Sequence, residues 1–237
     1  MHIYAIGDLH LSGEPPTKPM EKFGEHWLGH KEKIKYNWLN TVQLEDYVII
    51  AGDISWAMNL PEAEVDLRWI AELPGQKILL RGNHDYWWTS VSKMRKQYPE
   101  FIFLQNDSTL VELAKEEGVQ KVAICGTRGW TLPSSEKFTD EDNKIYLREG
   151  VRMELGLQQA AKLEADVLVL AMHYPPLFAP EETTVFTDLL EKYQVQTCVY
   201  GHIHGENHVI TFEGERNGVN YKLVSCDTQG FELYKII

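Results

Sequence analysis

Cysteine is scarce in this chain of 237 residues, and what there is lacks pattern. Cys125, Cys198 and Cys226 make an odd number with no CxxC spacing, and Cys125 and Cys198 sit inside apolar runs. That argues against a disulfide framework and points to buried, reduced thiols of a cytosolic protein. Long apolar runs are also missing: none approaches the roughly 18 residues that cross a bilayer. The opening Met1-His2-Ile3-Tyr4-Ala5-Ile6 has no charged segment followed by a long apolar core, so a signal peptide is not expected. The expected location is cytoplasmic, with no membrane span. Positive charge is deficient, with 23 Lys and Arg against 35 Asp and Glu, a net charge of −12. Extended nucleic-acid binding needs a basic footprint and is disfavoured. A small phosphorylated substrate is still compatible, because bound metal ions reverse the local potential. Low-complexity tracts, internal repeats and linkers are absent, so one domain spanning residues 1–237 is expected.

What the chain has in quantity is short apolar strands that stop at polar residues. Lys77-Ile78-Leu79-Leu80 runs directly into Arg81-Gly82-Asn83-His84-Asp85. Ile3-Tyr4-Ala5-Ile6 is followed by Gly7-Asp8-Leu9-His10, and Tyr47-Val48-Ile49-Ile50-Ala51 by Gly52-Asp53. Val167-Leu168-Val169-Leu170-Ala171-Met172 ends at His173, and a strand over 196–200 ends at Gly201-His202-Ile203-His204. In α/β sheets functional groups gather beyond the carboxyl ends of the strands, so these five ends should face one crevice. Each end alone reads as an ordinary turn or surface pattern; five together do not.

Between the strands, helices are expected over 31–42, 60–73, 89–98 and about 144–163, and from Thr183 or Thr184 to residue 193. Closely spaced strands over 101–105, 109–113 and 119–126 point to antiparallel pairing. Further strands are expected over 207–212, 220–226 and 231–237, with Asn217-Gly218 as a hairpin turn. Residues 12 to about 30, rich in Pro and Gly, read as a rim or lid over the site. Residues 128–163 read as a loop–helix insertion. Trp87, Trp88 and Trp130 either line a pocket or pack beside it. Arg128 and Arg148 default to the surface, and His2, His26, His30 and His208 fall outside the strand-end pattern.

The donors limit the metal. Asp8, His10, Asp53, Asn83, His173, His202 and His204 supply carboxylates, an amide oxygen and imidazoles without a thiolate. That set suits Mn, Fe, Zn or Co better than Ca. It is too large for one tetrahedral ion and fits two divalent or trivalent transition metal ions sharing a carboxylate.

The sequence resembles the calcineurin-like metallophosphoesterase superfamily, in its small single-domain, bacterial-type form. The likeness rests on D-x-H at Asp8 and His10, G-D at Gly52-Asp53, G-N-H-D at Gly82 to Asp85, the lone His173, and G-H-x-H at Gly201 to His204. The resemblance implies an α/β four-layer α/β/β/α sandwich, two mixed sheets flanked by helices. It implies one metal on Asp8, His10 and His204, a second on Asn83, His173 and His202, and Asp53 bridging them. It also implies that His84 assists the leaving group while Asp85 holds its ring. Activity would be hydrolysis of phosphate mono- or diesters by a water activated between the metals. Arg81 matches the arginine before G-N-H in the protein Ser/Thr phosphatase branch, as a substrate contact. The D-R-G of that branch is replaced here by Ile54-Ser55-Trp56, which makes a protein phosphatase the weaker alternative. A non-catalytic scaffold of the same fold is the other, although such a scaffold should lack ligands that this chain retains.

Overall fold

The computed structural model describes residues 1–205 and 211–237. Alternation along the apolar strands decides its layering, since successive side chains leave a strand on opposite faces. On β1 (Ile3–Ile6), Tyr4 and Ile6 join one apolar cluster while Ile3 and Ala5 join another. On β7 (Val167–Met172), Val169 and Ala171 share the cluster of Ile3 and Ala5, while Leu170 and Met172 face a third. The shared cluster is the layer between two sheets.

The first sheet has the order β11-β1-β2-β3-β4. In it β2 (Tyr47–Ile50), β3 (Gln76–Leu80) and β4 (Phe101–Leu104) continue β1 in parallel, and β11 (Tyr234–Lys235) closes its edge antiparallel. The second has the order β5-β6-β7-β8-β10-β9. Here β6 (Gly118–Thr127), β7, β8 (Thr197–Tyr200) and β10 (Val219–Leu223) run parallel. At its edges β5 (Asp107–Lys115) and β9 (Gly214–Arg216) run antiparallel. Helices α1 (His30–Thr41), α2 (Leu60–Glu72) and α3 (Val91–Gln97) cover the first sheet through Trp38, Leu67 and Met94. Helices α4 (Asp140–Ala160) and α5 (Val185–Lys192) cover the second through Met153, Leu157 and Phe186. Two mixed sheets flanked by helices make the four layers implied by the resemblance. No helix among the described residues is long and apolar enough to cross a membrane.

Several boundaries differ from the sequence expectation. α4 starts at Asp140 rather than near 144, because Thr139 and Asp142 form a reciprocal cap that reaches into the polar loop. Gly150 and Gly156, which weaken a helix by propensity, lie where a Cβ would press on Val185 Cγ2 at 3.0 Å and Cys125 Sγ at 2.7 Å. Close packing on its neighbours takes precedence there. β4 and β5 do not pair: they belong to different sheets, and the antiparallel ladder in this region is β5 with β6. Asn217 and Gly218, at φ 51° and 80°, form the turn between β9 and β10. The strand expected over 207–212 falls largely outside the described residues, as does His208.

The two sheets are stitched together at the carboxyl end of β1. Gly7 donates to the carbonyl of Val224 at 2.6 Å, and Cys226 donates back to Gly7 at 3.0 Å. This seam brings residues after β1, β2 and β3 against those after β7, β8 and β10.

Candidate metal centre

The carboxylates come from the first sheet. Asp8 and Asp53 follow β1 and β2 and are 0% and 1% exposed. The chain turns abruptly to aim them: Asp8, His10, Asp53 and His202 all have left-handed backbones, at φ 58°, 45°, 49° and 76°. Such conformations cost about 1–3 kcal/mol each in residues with a Cβ, and persist where the surroundings enforce them. Here Asp8 N–H donates to Gly52 O at 2.9 Å and His10 N–H to Asp53 O at 3.0 Å. Glycines give the carboxylates room. A Cβ on Gly82 would stand 2.1 Å from Asp53 Oδ1, and one on Gly201 2.4 Å from Asp8 Oδ2.

Asp8 accepts from Ser225 Oγ at 2.7 Å and from the His202 amide at 3.0 and 3.1 Å. Asp53 Oδ1 accepts the His84 amide at 2.8 Å. Burial opposes ionisation of Asp8, but His204, His173 and His10 outweigh it and hold the carboxyl below its usual range. Asp53 is driven the other way, up to about 8, first by burial and then by the charge of Asp8.

The imidazoles come mostly from the second sheet, and two of them, His173 and His204, are oriented from behind. His173, fully buried after β7, points Nδ1 at the Ala51 carbonyl at 3.0 Å. Its Nε2 then faces Asn83 Oδ1 at 2.7 Å and Asp53 Oδ1 at 3.5 Å. His204 pairs Nδ1 with Asp227 Oδ1 at 2.9 Å and presents Nε2 to Asp8 at 3.5 Å and to His10 Nε2 at 3.2 Å. Burial disfavours the His204 imidazolium, yet Asp8 and Asp227 prevail and lift it to about 10. His202 goes down to about 3, through burial and then the neighbouring His173.

Asp8, His10 and His204 bring donor atoms within 4.8 Å of one another, as do Asp53, His173 and His202. Asn83 joins the second group through His173. Two observations show that the residues fit cations. The ring nitrogens of His10 and His204 stand 3.2 Å apart with Asp8 beside them, and His204 is fixed through its other nitrogen, so two imidazoles and a carboxylate converge where one cation could engage all three. Asp53 resists ionising beside Asp8 unless positive charge lies between them. Carboxylate or carbonyl partners behind metal-binding histidines are the usual means of fixing ring orientation.

The other residues singled out in the sequence land differently. His84 lines a cavity of about 400 Å³ shared with His10, Asp53, His202 and His204, and its Nδ1 has no partner among the described residues. Asp85 does not hold the His84 ring. Its oxygens accept from the amides of Gly82 (2.7 Å), Ile54 (2.9 Å) and Ser55 (3.2 Å) and from Trp87 Nε1 (3.0 Å). Asp85 therefore fastens the loop after β2 to the loop after β3, and burial with the nearby Asp53 raises it to about 6. Arg81 does not line this cavity; it faces a separate cleft.

The cavity walls also differ from expectation. Trp87 and Trp88 are core, and Trp130 packs against the second-sheet helical layer. The aromatic walls are Trp27, Trp56 and Phe23, with Met20 and His26 beside them. Most of these come from the 12–30 loop, where short 3₁₀ turns over Met20–Phe23 and Glu25–Trp27 seat them. Trp56 stacks on His10 with ring centres 4.8 Å apart. Sequence reasoning missed Trp56, Ser225 and Asp227. The readable signal was Ser225-Cys226-Asp227, a polar stop directly after the apolar end of β10, the same grammar as the other strand ends.

Fold and site thus define a two-sheet α/β protein with paired Asp/His clusters at its strand ends. The family model for calcineurin-like phosphoesterases matches residues 1–206, and the chain belongs to that family. Solved structures agree in fold. The phosphopantetheinyl hydrolase PptH from Mycobacterium tuberculosis is 17% identical at a TM-score of 0.57, over 100% of this chain and 95% of that one. TT1561 of Thermus thermophilus is 12% identical at 0.56, over 99% and 97%. The calcineurin-like phosphoesterase YfkN from Bacillus subtilis is 13% identical at 0.54, over 96% and 82%. No curated protein matches the sequence.

Proposed function

We propose that the protein is a dimetal-dependent hydrolase of small phosphate mono- or diesters. The observation that carries this reading is the pair of adjoining clusters, Asp8-His10-His204 and Asp53-His173-His202, opening into the cavity that holds His84. Two transition metal ions bound there would act as Lewis acids on the phosphoryl group and lower the pKa of water. Asp53, between the clusters, is the group that would serve both. Asn83 and His173 complete the second cluster, and Asp227 fixes which nitrogen His204 presents.

His84 does the chain's own chemistry. Its amide is tied to Asp53 and its side chain lines the cavity, so the ring is held at the edge of the cluster, where a departing oxygen would lie. A proton or hydrogen bond delivered there stabilises the leaving alkoxide. Trp27, Trp56 and Phe23 exclude water from one side of the cavity, which favours an ester with an apolar or planar leaving group.

The test is a panel of phosphate monoesters and diesters assayed after reconstitution with Mn, alongside metal analysis. Turnover dependent on bound metal is expected. Two ions bound with no ester hydrolysed would refute the reading and leave the scaffold alternative.

A further inference from the structure

The arginines that this chemistry leaves unused converge on one place. Arg81 after β3, Arg128 after β6, and Arg148 and Arg152 on α4 line a cleft of about 260 Å³. It shares no lining residue with the His84 cavity. The backbone nevertheless ties it to the metal centre. Arg81 stands two residues before Asn83, and the Arg128 carbonyl accepts the amides of His173 at 3.1 Å and Tyr174 at 3.0 Å.

The cleft is short of negative charge. Glu149, 1% exposed, pairs with Arg152 Nη1 at 2.6 Å. Among the described residues no carboxylate comes within ion-pairing distance of Arg81, Arg128 or Arg148. Arg128 is braced rather than free, its guanidinium 4.7 Å over the Trp130 ring, whose Nε1 donates to Asp142. Arg81 Nε is buried without a partner among the described residues. Burial draws Arg128 below its ordinary range; Glu149 and Tyr174 oppose this, and Arg81 and Arg152 add to it. Arg81 and Arg128 are half-buried, and the one carboxylate in the cleft is already held by Arg152, so an anion seated among these guanidiniums would supply the charge they lack. Planar N–H forks match the oxygens of a phosphate-type group.

We propose that this cleft is an anion subsite, holding a second phosphate-type group of the substrate while the ester under attack lies at the metal centre. The preferred substrate is then a phosphate ester bearing a further phosphate. The substrate role rests on the phosphoesterase reading; the anion site itself does not.

Titration calorimetry of the metal-stripped chain with inorganic pyrophosphate tests the site without turnover. Saturable binding is expected, weakened about tenfold in Arg148→Gln and unchanged in Arg68→Gln, which alters a surface arginine on α2. Arg128→Gln should weaken it as well, with circular dichroism checking that the variant folds. No saturable binding by the unaltered chain, or binding by both cleft variants as tight as that of the unaltered chain, overturns the proposal. In the metal-loaded protein, kcat/KM for a nucleoside 3′,5′-bisphosphate relative to the 5′-monophosphate should fall about tenfold in Arg148→Gln. An unchanged ratio overturns the substrate role and makes a free anion the occupant. Pyrophosphate bound through the arginines, with neither ester hydrolysed, supports the anion site and refutes the phosphoesterase reading.

Discussion

The two sheets contribute to the centre in opposite chemical currencies. The first supplies Asp8 and Asp53, buried carboxylates held by amides and a hydroxyl. The second supplies His173, His202 and His204, with the far nitrogens of His173 and His204 set by Ala51 and Asp227. Neither half balances its own charge. Asp53 is pushed up to about 8 and His202 down to about 3, mainly because each is buried. The difference teaches that this centre exists only where the sheets meet, so a bound cation would cross-link them as well as perform chemistry.

Removing the shared carboxylate should break the comparison most completely. Asp53→Ala takes the group proposed to serve both clusters, and turnover should fall by about 10³-fold or more, with metal content dropping in elemental analysis. Next comes Gly82→Ala. Its Cβ would collide with Asp53 Oδ1 and N at 2.1 and 2.2 Å, both at the seam, so the variant should be about 1–3 kcal/mol less stable in urea unfolding. Retained stability would mean that the loop after β3 moves freely relative to β2.

Asp227→Asn acts on the second-sheet half alone. It keeps the shape but loses the charge behind His204, and metal affinity measured by competition with a chelator should weaken about 10–100-fold. Smallest is Trp56→Ala, which removes an aromatic wall stacked on His10 without touching a carboxylate. KM for an aryl phosphate should rise about tenfold while metal content stays the same.

Much of this centre was legible because five strands are apolar to their last residue and then stop at a donor. Asp8, Asp53, Asn83, His173, His202 and His204 all obey that rule, and the structure gathers them. Asp227 obeys it too, after β10, but follows Ser225 and Cys226 rather than a glycine, so its ending was not read as part of the set. Asp85 shows the opposite limit. Adjacent to His84 in sequence, it points away from that ring because three amides and Trp87 Nε1 compete for its oxygens. Which of two adjacent polar residues faces a site is decided by backbone turns such as the left-handed Asp8 and Asp53, and composition carries no record of them. The cavity walls were hidden for a related reason. Trp27 and Trp56 are brought together by the 12–30 loop, whose path follows from tertiary packing.

His84 divides metal binding from chemistry more cleanly than any other position, since it lines the cavity without belonging to either cluster. The decisive measurement is therefore metal content and phosphate-ester turnover of His84→Ala beside the unaltered protein, both reconstituted with Mn. Two ions retained with turnover reduced by about 10²–10⁴-fold is the predicted result. Undiminished turnover with both ions in place would contradict that division of roles.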